Sequence, residues 1–262
     1  MTEEAKSNLY DLPRIYHAAF PELEPAERAM INHVFSTHSP FPVVSILEPA
    51  CGTGRALVDL ASFGYQITGY DLSTAMVAFA NDRIGRAGLE KLARAIPGAM
   101  ATTKVEGTFD SAINLINSLG YLVSDADVVS HFRNTAACLR MGGLYLVYLG
   151  LTRENSVAGE KTSWSSQADG MLVTTTWGSV EVNRSSKVCT DFSSIEVIDG
   201  NNRFVIDERH IMRMWLLEDL RGLAEAGSFQ LEAVYDEKGN RMENDQYISE
   251  FSGNLYFVFR SI

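Results

Sequence analysis

The sequence predicts an α/β fold: a doubly wound, mostly parallel seven-stranded sheet, interrupted after its fifth strand by an antiparallel β insertion. Three observations carry this expectation. Up to Gly150, short apolar runs alternate with stretches of helical spacing, the rhythm of a parallel sheet with helices on both faces. The first apolar run, residues 43–47, leads through Glu48-Pro49-Ala50-Cys51 into Gly52-Thr53-Gly54 and then a helical stretch from Arg55. Strand, glycine turn and helix in that order open a nucleotide-binding unit. From residue 151 the pattern becomes a polar stretch followed by β runs without a helix, and helical periodicity resumes only at Leu217.

Residues 1–42 read as an N-terminal helical cap. Helical spacing over residues 3–20 puts Leu9, Leu12, Ile15, Tyr16 and Ala19 near one face, with Pro13 kinking or dividing it. A second helix follows Pro25, and Ser39-Pro40-Phe41-Pro42 breaks the chain before the first strand. Residues 43–150 read as the ligand-binding core. Its second strand, 65–71, ends on Asp71, and Ser73 caps the next helix. Residues 93–96 and 109–116 form the third and fourth strands, 124–140 a helix stopped by Met141-Gly142-Gly143, and 144–149 the fifth strand. Residues 151–215 form the insertion, loop-like to 168, then β runs with turns at Gly178 and 199–202. Residues 216–262 complete the core with a helix over 217–226 and an antiparallel pair, 229–235 with 255–259.

Composition narrows the function classes. The chain has 262 residues, 46% hydrophobic, with a formal net charge of −11. A nucleic-acid enzyme needs a basic surface, and the densest basic stretch, 81–94, carries acids among its cations. A small-molecule substrate is therefore expected rather than nucleic acid. No apolar run reaches the ~18 residues of a membrane span. Three scattered cysteines, Cys51, Cys138 and Cys189, suggest neither disulfides nor a zinc cluster, and the first residues carry no signal pattern, so a cytoplasmic protein is expected.

Asp71 lies about twenty residues past the glycines, where a carboxylate accepts from ribose hydroxyls. Two cofactors suit that arrangement. A dinucleotide site usually has a third glycine where this chain has Leu57, and Glu48 before the turn would repel a pyrophosphate but attract an ammonium. The residues favour S-adenosyl-L-methionine over NAD. Glu48-Pro49-Ala50-Cys51-Gly52-Thr53-Gly54 resembles the first motif of the class I S-adenosylmethionine-dependent methyltransferases, and residues 67–76 resemble their second. Residues 139–143 resemble the Leu-Arg-Pro-Gly-Gly turn of that class, and, more loosely, residues 109–122, 208–215 and 254–257 resemble a small-molecule subgroup that includes sugar N,N-dimethyltransferases and relatives of glycine N-methyltransferase.

The resemblance implies a Rossmann-like core and a set of cofactor residues. Gly52 and Gly54, with Ala50 and Arg55 beside them, line the methionine portion, Glu48 supports its ammonium, Asp71 holds the ribose, and Leu72 and Met76 sandwich adenine. Backbone carbonyls at Asn114 and Leu115 reach the ammonium, and Tyr10 and Tyr16 close over the cofactor. An acid usual after the third strand is replaced by Ala99, leaving backbone groups of Ala99 and Met100 to read adenine. Asn117 and Tyr121 stand at the methyl-transfer centre, Tyr121 where the sugar enzymes carry a histidine. His210, Arg213 and Trp215, taken as alternating along one strand, are expected to share a face toward the acceptor. An amine acceptor needs only to be unprotonated, whereas a hydroxyl calls for a general base such as His210 or a metal. No acid cluster suggests a metal site. The sequence leaves N- and O-methylation both open, along with an NAD-dependent dehydrogenase or a non-catalytic S-adenosylmethionine-binding protein. The insertion is expected to cover the acceptor, with a homodimer surface as its alternative role.

Overall fold

The structure, a computed structural model, describes residues 8–20, 22–152 and 158–262. Its main sheet contains β1 (Ser45–Pro49), β2 (Gln66–Asp71), β3 (Ala93–Pro97), β4 (Phe109–Asn114), β5 (Leu139–Gly150), β10 (Phe229–Tyr235), β11 (Arg241–Met242) and β12 (Asn254–Ser261). The strand order is β11-β10-β12-β5-β4-β1-β2-β3. Strands β1 to β5 pair in parallel, and β12 joins antiparallel between β5 and β10. The eighth strand beyond the seven expected is β11, two residues long. Order reverses between β4 and β1, so their carboxyl ends flank the crevice where ligands bind in open α/β sheets. Both strands are buried on both faces, Ile46, Leu47, Ala112 and Ile113 being at most 1% exposed, which explains the absence of polar alternation.

Local chemistry sets the helix ends. Pro13 is the first residue of α1 (Pro13–Ala19), where its missing N–H costs nothing, and a 3-10 turn at Leu9–Asp11 precedes it. The expected helix from residue 3 is thus divided at Pro13, and residues 3–7 lie outside the described residues. Glu24 and Glu27 form a capping box on α2 (Pro25–His38). Helix α3 spans Arg55–Ser62. Ser73 and Ser124 accept from the N–H groups of Met76 and Asp127 at the starts of α4 (Thr74–Arg86) and α5 (Asp125–Ala137).

One boundary differs from expectation. Helix α5 ends at Ala137, and the Leu139-to-Gly143 stretch belongs to β5. Three residues of β4, Phe109 to Ser111, face six of β5, Leu139 to Leu144. The excess is a bulge, with Gly142 at φ 78°. A Cβ on Gly143 would stand 2.8 Å from the Arg140 carbonyl oxygen and 2.9 Å from that of Asp110. Those glycines serve a close strand crossing, not a helix stop.

The insertion is a second sheet in meander order, β6 (Lys161–Ala168), β7 (Met171–Asn183), β8 (Val188–Asp199) and β9 (Asn202–Arg213). Residues 153–157, at its entrance, lie outside the described residues. Strand β6 occupies a stretch expected to be loop, because its run of Ser, Thr and Gln has no apolar alternation; Ser163 and Ser165 pair with Thr176 and Thr174 across β7 instead. Gly178 lies inside β7 rather than at a turn. A Cβ there would meet the Phe192 ring at 2.7 Å, so the glycine admits a cross-strand aromatic. Helix α1 packs on this sheet, joining Leu9, Ala18 and Ala19 to Met171, Val173, Ile195, Val197 and Ile206 in a separate apolar cluster. Helix α6 (Leu217–Ala226) and a short α7 (Asp245–Glu250), the latter not foreseen, complete the chain.

Candidate active site

At the carboxyl end of β1 the backbone turns through three left-handed residues, Ala50 (φ 54°), Gly52 (φ 51°) and Gly54 (φ 73°). Gly54 caps α3 in the αL conformation. A Cβ on Gly54 would stand 2.9 Å from that of Ala80. Gly54 therefore lets α3 approach α4. Gly52 is different: a Cβ there would meet only the edge of the Tyr16 ring, at 3.5 Å.

Asp71 organises this turn. One carboxylate oxygen accepts from Gly52 N–H at 2.8 Å, and the other from Ser73 N–H at 2.9 Å. Burial pushes its pKa up, and those backbone N–H groups pull it back. The Asp71 carboxylate thereby ties the β1 loop to the β2 loop.

Glu48 is 4% exposed, and its Oε2 has no hydrogen-bond partner. Burial raises its pKa to about 8. Arg55, the nearest cation acting on it, is held by ion-pair contact with Glu27 and by Glu22 carbonyl oxygen at 3.3 Å. The neighbouring Thr53 Oγ1, 1% exposed, also lacks a partner. Across the crevice, Asn114 donates to Pro49 carbonyl at 2.9 Å and leaves its own Oδ1 buried and unpaired. Asn117 adopts the left-handed conformation with its Oδ1 likewise unpaired. Tyr16, Glu48, Ala50, Gly52, Thr53 and Leu115 line one cleft. Buried polar atoms without partners carry a large desolvation cost. A cleft that gathers the unpaired Glu48 and Thr53 oxygens is built to receive donors from a ligand, and an ammonium suits a buried carboxylate. That donor set fits the aminoacyl end of S-adenosylmethionine.

The other predicted residues fall into three groups. Leu72 is 77% exposed and Met76 is fully buried, on opposite sides of the Ser73 cap. Ala99 has no backbone group left over: its N–H donates to Thr103 Oγ1 and its carbonyl accepts from Thr102 and Thr103 N–H. That corrects the expectation that Ala99 backbone reads a base. Tyr10, Tyr121 and His210 come together although far apart in sequence. Tyr10 Oη lies 2.6 Å from Tyr121 Oη, Tyr121 Oη 3.0 Å from His210 Nδ1, and His210 Nε2 2.9 Å from Ser193 Oγ. Trp177 stacks on the imidazole at 4.4 Å and 16°. Burial lowers the His210 pKa, with Asp191 opposing. Ser193 was not anticipated, and Trp177 was expected only as one of the large rings that the insertion offers the acceptor. Their spacing from His210 is visible only in strand register, where Trp177 faces Ser193.

Arg213 and Trp215 do not share that face. His210 and Arg213 are three residues apart, an odd spacing on a strand, which turns them to opposite sides. Arg213 donates to Val123 carbonyl at 3.2 Å and Asp125 at 2.5 Å, and its guanidinium stacks on Trp215, itself 1% exposed in the core. The pair anchors the base of the insertion. Trp164 donates to Ala19 carbonyl at 3.1 Å and packs on Phe20.

Comparison with known proteins bears on the family. Residues 46–143 match the family described as methyltransferase domain. The chain is an S-adenosylmethionine-dependent methyltransferase. A putative methyltransferase of Bacillus subtilis, YqeM, is 27% identical over 193 residues, 72% of this chain and 74% of that one. The dTDP-3-amino-3,6-dideoxy-alpha-D-glucopyranose N,N-dimethyltransferase of Streptomyces fradiae is 30% identical over 149 residues, 56% of this chain and 55% of that one. In fold, the methyltransferase resembles S-adenosylmethionine-bound CalS10, an amino pentose methyltransferase from Micromonospora echinaspora, with a TM-score of 0.73, 19% identity and full coverage of both chains. Among the described residues no helix is long and apolar enough to cross a membrane, and no three His, Cys, Asp or Glu gather in a metal-binding group.

Proposed function

We propose that this methyltransferase methylates the nitrogen of a small amine of the amino-sugar class. The observation that carries the reading is the Tyr121–His210 pair at 3.0 Å, an uncharged proton acceptor joined through the Tyr10 ring to Tyr16 of the cleft. Amino-sugar relatives among the similar proteins point the same way.

When bound, S-adenosylmethionine supplies an electrophilic methyl group. Glu48 holds the ammonium of its aminoacyl end, with Thr53 and the Asn114 and Leu115 backbone around it, and Asp71 holds the ribose hydroxyls. Tyr16 covers the cleft at Gly52, and Asn117 fixes the loop beyond β4. An amine reaches the site as an ammonium and must lose a proton before it can attack. Tyr121 Oη accepts that proton while its own hydroxyl proton passes to His210 Nδ1. Burial keeps the Tyr121 phenol and the imidazole neutral beforehand, and Ser193 at Nε2 holds the ring in the tautomer that leaves Nδ1 free to accept. The chain's remaining task is alignment of acceptor and methyl.

The same pair would deprotonate a hydroxyl, so O-methylation is the second reading. A panel of amino sugars and their hydroxyl counterparts, with product analysis by mass spectrometry and NMR, separates them. Turnover of the hydroxyl series alone overturns the amine assignment. The outer face of the insertion, with Leu172, Val205 and Ile211 exposed by 42–53%, is the surface on which a second copy would pair, and sedimentation of Ile211→Lys tests that. With all three cysteines free, a reducing cytoplasm suits the protein.

A further inference from the structure

His210 is 5% exposed, and its Nδ1 faces Tyr121 Oη. Taking a proton leaves a positive charge on a buried ring, which is costly unless an anion lies near. Two carboxylates stand behind the ring. Asp191 is the cross-strand partner of His210, and its Oδ2 accepts from Trp177 Nε1 at 3.0 Å. Glu208 lies two residues before His210 on β9, so the two side chains share a face, and it stands opposite Ser193 on β8. Its Oε2 is 4.0 Å from His210 Nε2, and its side chain is 14% exposed. Tyr121 is on the Nδ1 side of the ring and Glu208 on the Nε2 side. The carboxylate therefore favours the imidazolium without meeting the acceptor's ammonium.

Glu208 is held by a segment far from it in the chain. Its Oε1 accepts from Leu9 N–H, across 199 positions of sequence. Leu9 opens the 3-10 turn Leu9–Asp11, which Asn8 caps by accepting from Tyr10 N–H at 2.9 Å. The turn is fixed on three sides. Leu9 is buried in the apolar cluster of α1 and the insertion, Ser73 Oγ donates to Tyr10 carbonyl at 2.7 Å, and Tyr10 Oη meets Tyr121 Oη at 2.6 Å. Adjacent residues of one turn thus reach both neighbours of His210, Tyr10 touching Tyr121 and Leu9 touching Glu208. Burial raises the pKa of Glu208, Asp11 adds to the rise, and the Leu9 N–H opposes it. The hydrogen bond favours the charged carboxylate, and its loss favours the neutral acid.

We infer that Glu208 is a positioning residue, through which docking of the Leu9–Asp11 turn charges the acid behind His210 and makes that ring a stronger proton acceptor. The inference rests on the proposed role of His210 as base.

NMR titration of the His210 imidazole on the whole chain, its signal identified by His210→Gln, tests this without any acceptor. Glu208→Gln keeps an oxygen for Leu9 N–H and removes only the charge, and should lower the proton affinity of His210 about tenfold. Leu9→Pro removes the N–H itself. The first position of the turn suits proline, and Asn8, at φ −67° and ψ 135°, already has the extended backbone required before one. Leu9→Ala trims the apolar side chain and keeps the N–H. Leu9→Pro should lower the His210 proton affinity several-fold and Leu9→Ala less than twofold, while Leu9→Pro should add nothing in the Glu208→Gln background. An unmoved His210 titration in Glu208→Gln overturns the inference. Equal shifts in Leu9→Pro and Leu9→Ala do so as well, since the turn would then act by packing alone. Turnover by His210→Gln at the full rate would instead sink the base assignment and leave the titration shifts standing. Glu208→Gln decides the role of the acid even if the Leu9 variants fold poorly.

Discussion

Two walls face each other across the cleft. The wall formed by the carboxyl ends of β1 and β2 carries buried carboxylates, Glu48 without a partner and Asp71 clamped by two backbone N–H groups. The wall formed by the N-terminal segment, the loop after β4 and the insertion carries rings, with Tyr10, Tyr121, Trp177 and His210 in one connected set. A positively charged cofactor end calls for fixed negative charge. Deprotonating an amine calls for a neutral acceptor, since a carboxylate beside the acceptor would stabilise the ammonium and resist its loss of a proton. The contrast teaches that charge is confined to the cofactor wall.

The strongest test of that division is Gly54→Val. The left-handed conformation and the 2.9 Å approach to Ala80 should cost about 3 kcal/mol of stability and abolish cofactor binding, read by thermal melting and calorimetry. A fully stable variant would show that α3 and α4 can part without loss.

Next in size, Tyr121→Phe and His210→Gln should each lower kcat about a hundredfold with S-adenosylhomocysteine affinity unchanged. Protonated His210 cannot accept, so the rate should fall as pH drops. Because burial lowers its pKa from the ordinary 6.5, that fall should lie below pH 6.5. A matching loss of S-adenosylhomocysteine affinity would mean the ring wall also holds the cofactor.

Asp71→Ala removes charge-assisted hydrogen bonds and should weaken S-adenosylmethionine about ten- to a hundredfold. Calorimetry showing unchanged affinity would leave Asp71 as a loop clamp only.

Glu48→Gln should cost about tenfold at pH 8 and less at pH 6. Between its ordinary 4.5 and about 8, the folded protein holds a proton that the unfolded chain has lost. Stability contributed by this group therefore falls as pH rises through that window. An ammonium ligand expels the proton, so binding should tighten with rising pH and release protons measurable in buffers of different ionisation enthalpy. Equal proton release from Glu48→Gln would assign the proton elsewhere.

The smallest effect should come from Arg213→Met, which loses about 1–3 kcal/mol of stability with the acceptor KM unaltered. A raised KM at full stability would return Arg213 to the acceptor wall.

The cofactor wall was legible in the sequence because its parts are local. Glu48, Gly52 and Gly54 lie within one strand-and-turn, and Asp71 closes the next strand, so chain geometry alone brings them together. The alternation of strands and helices likewise determined the parallel sheet and the place of the insertion. The sequence did not reveal β6, whose polar run is held by cross-strand hydroxyl pairs, or the glycines of β5, which serve a bulge. The ring wall was the tertiary structure's decision. Tyr10, Tyr121, Trp177, Ser193 and His210 meet because α1 packs on the insertion and because register sets Trp177 opposite Ser193. The expectation for Arg213 failed on parity along its own strand: three residues from His210 is an odd step, which turns it to the opposite face. Ala99 shows the limit met at the ring wall: its side chain could be read from the sequence, but the loss of its backbone groups to Thr102 and Thr103 arises only when the loop closes on itself, because hydrogen-bond partners are shared out by the fold rather than by neighbours in the chain.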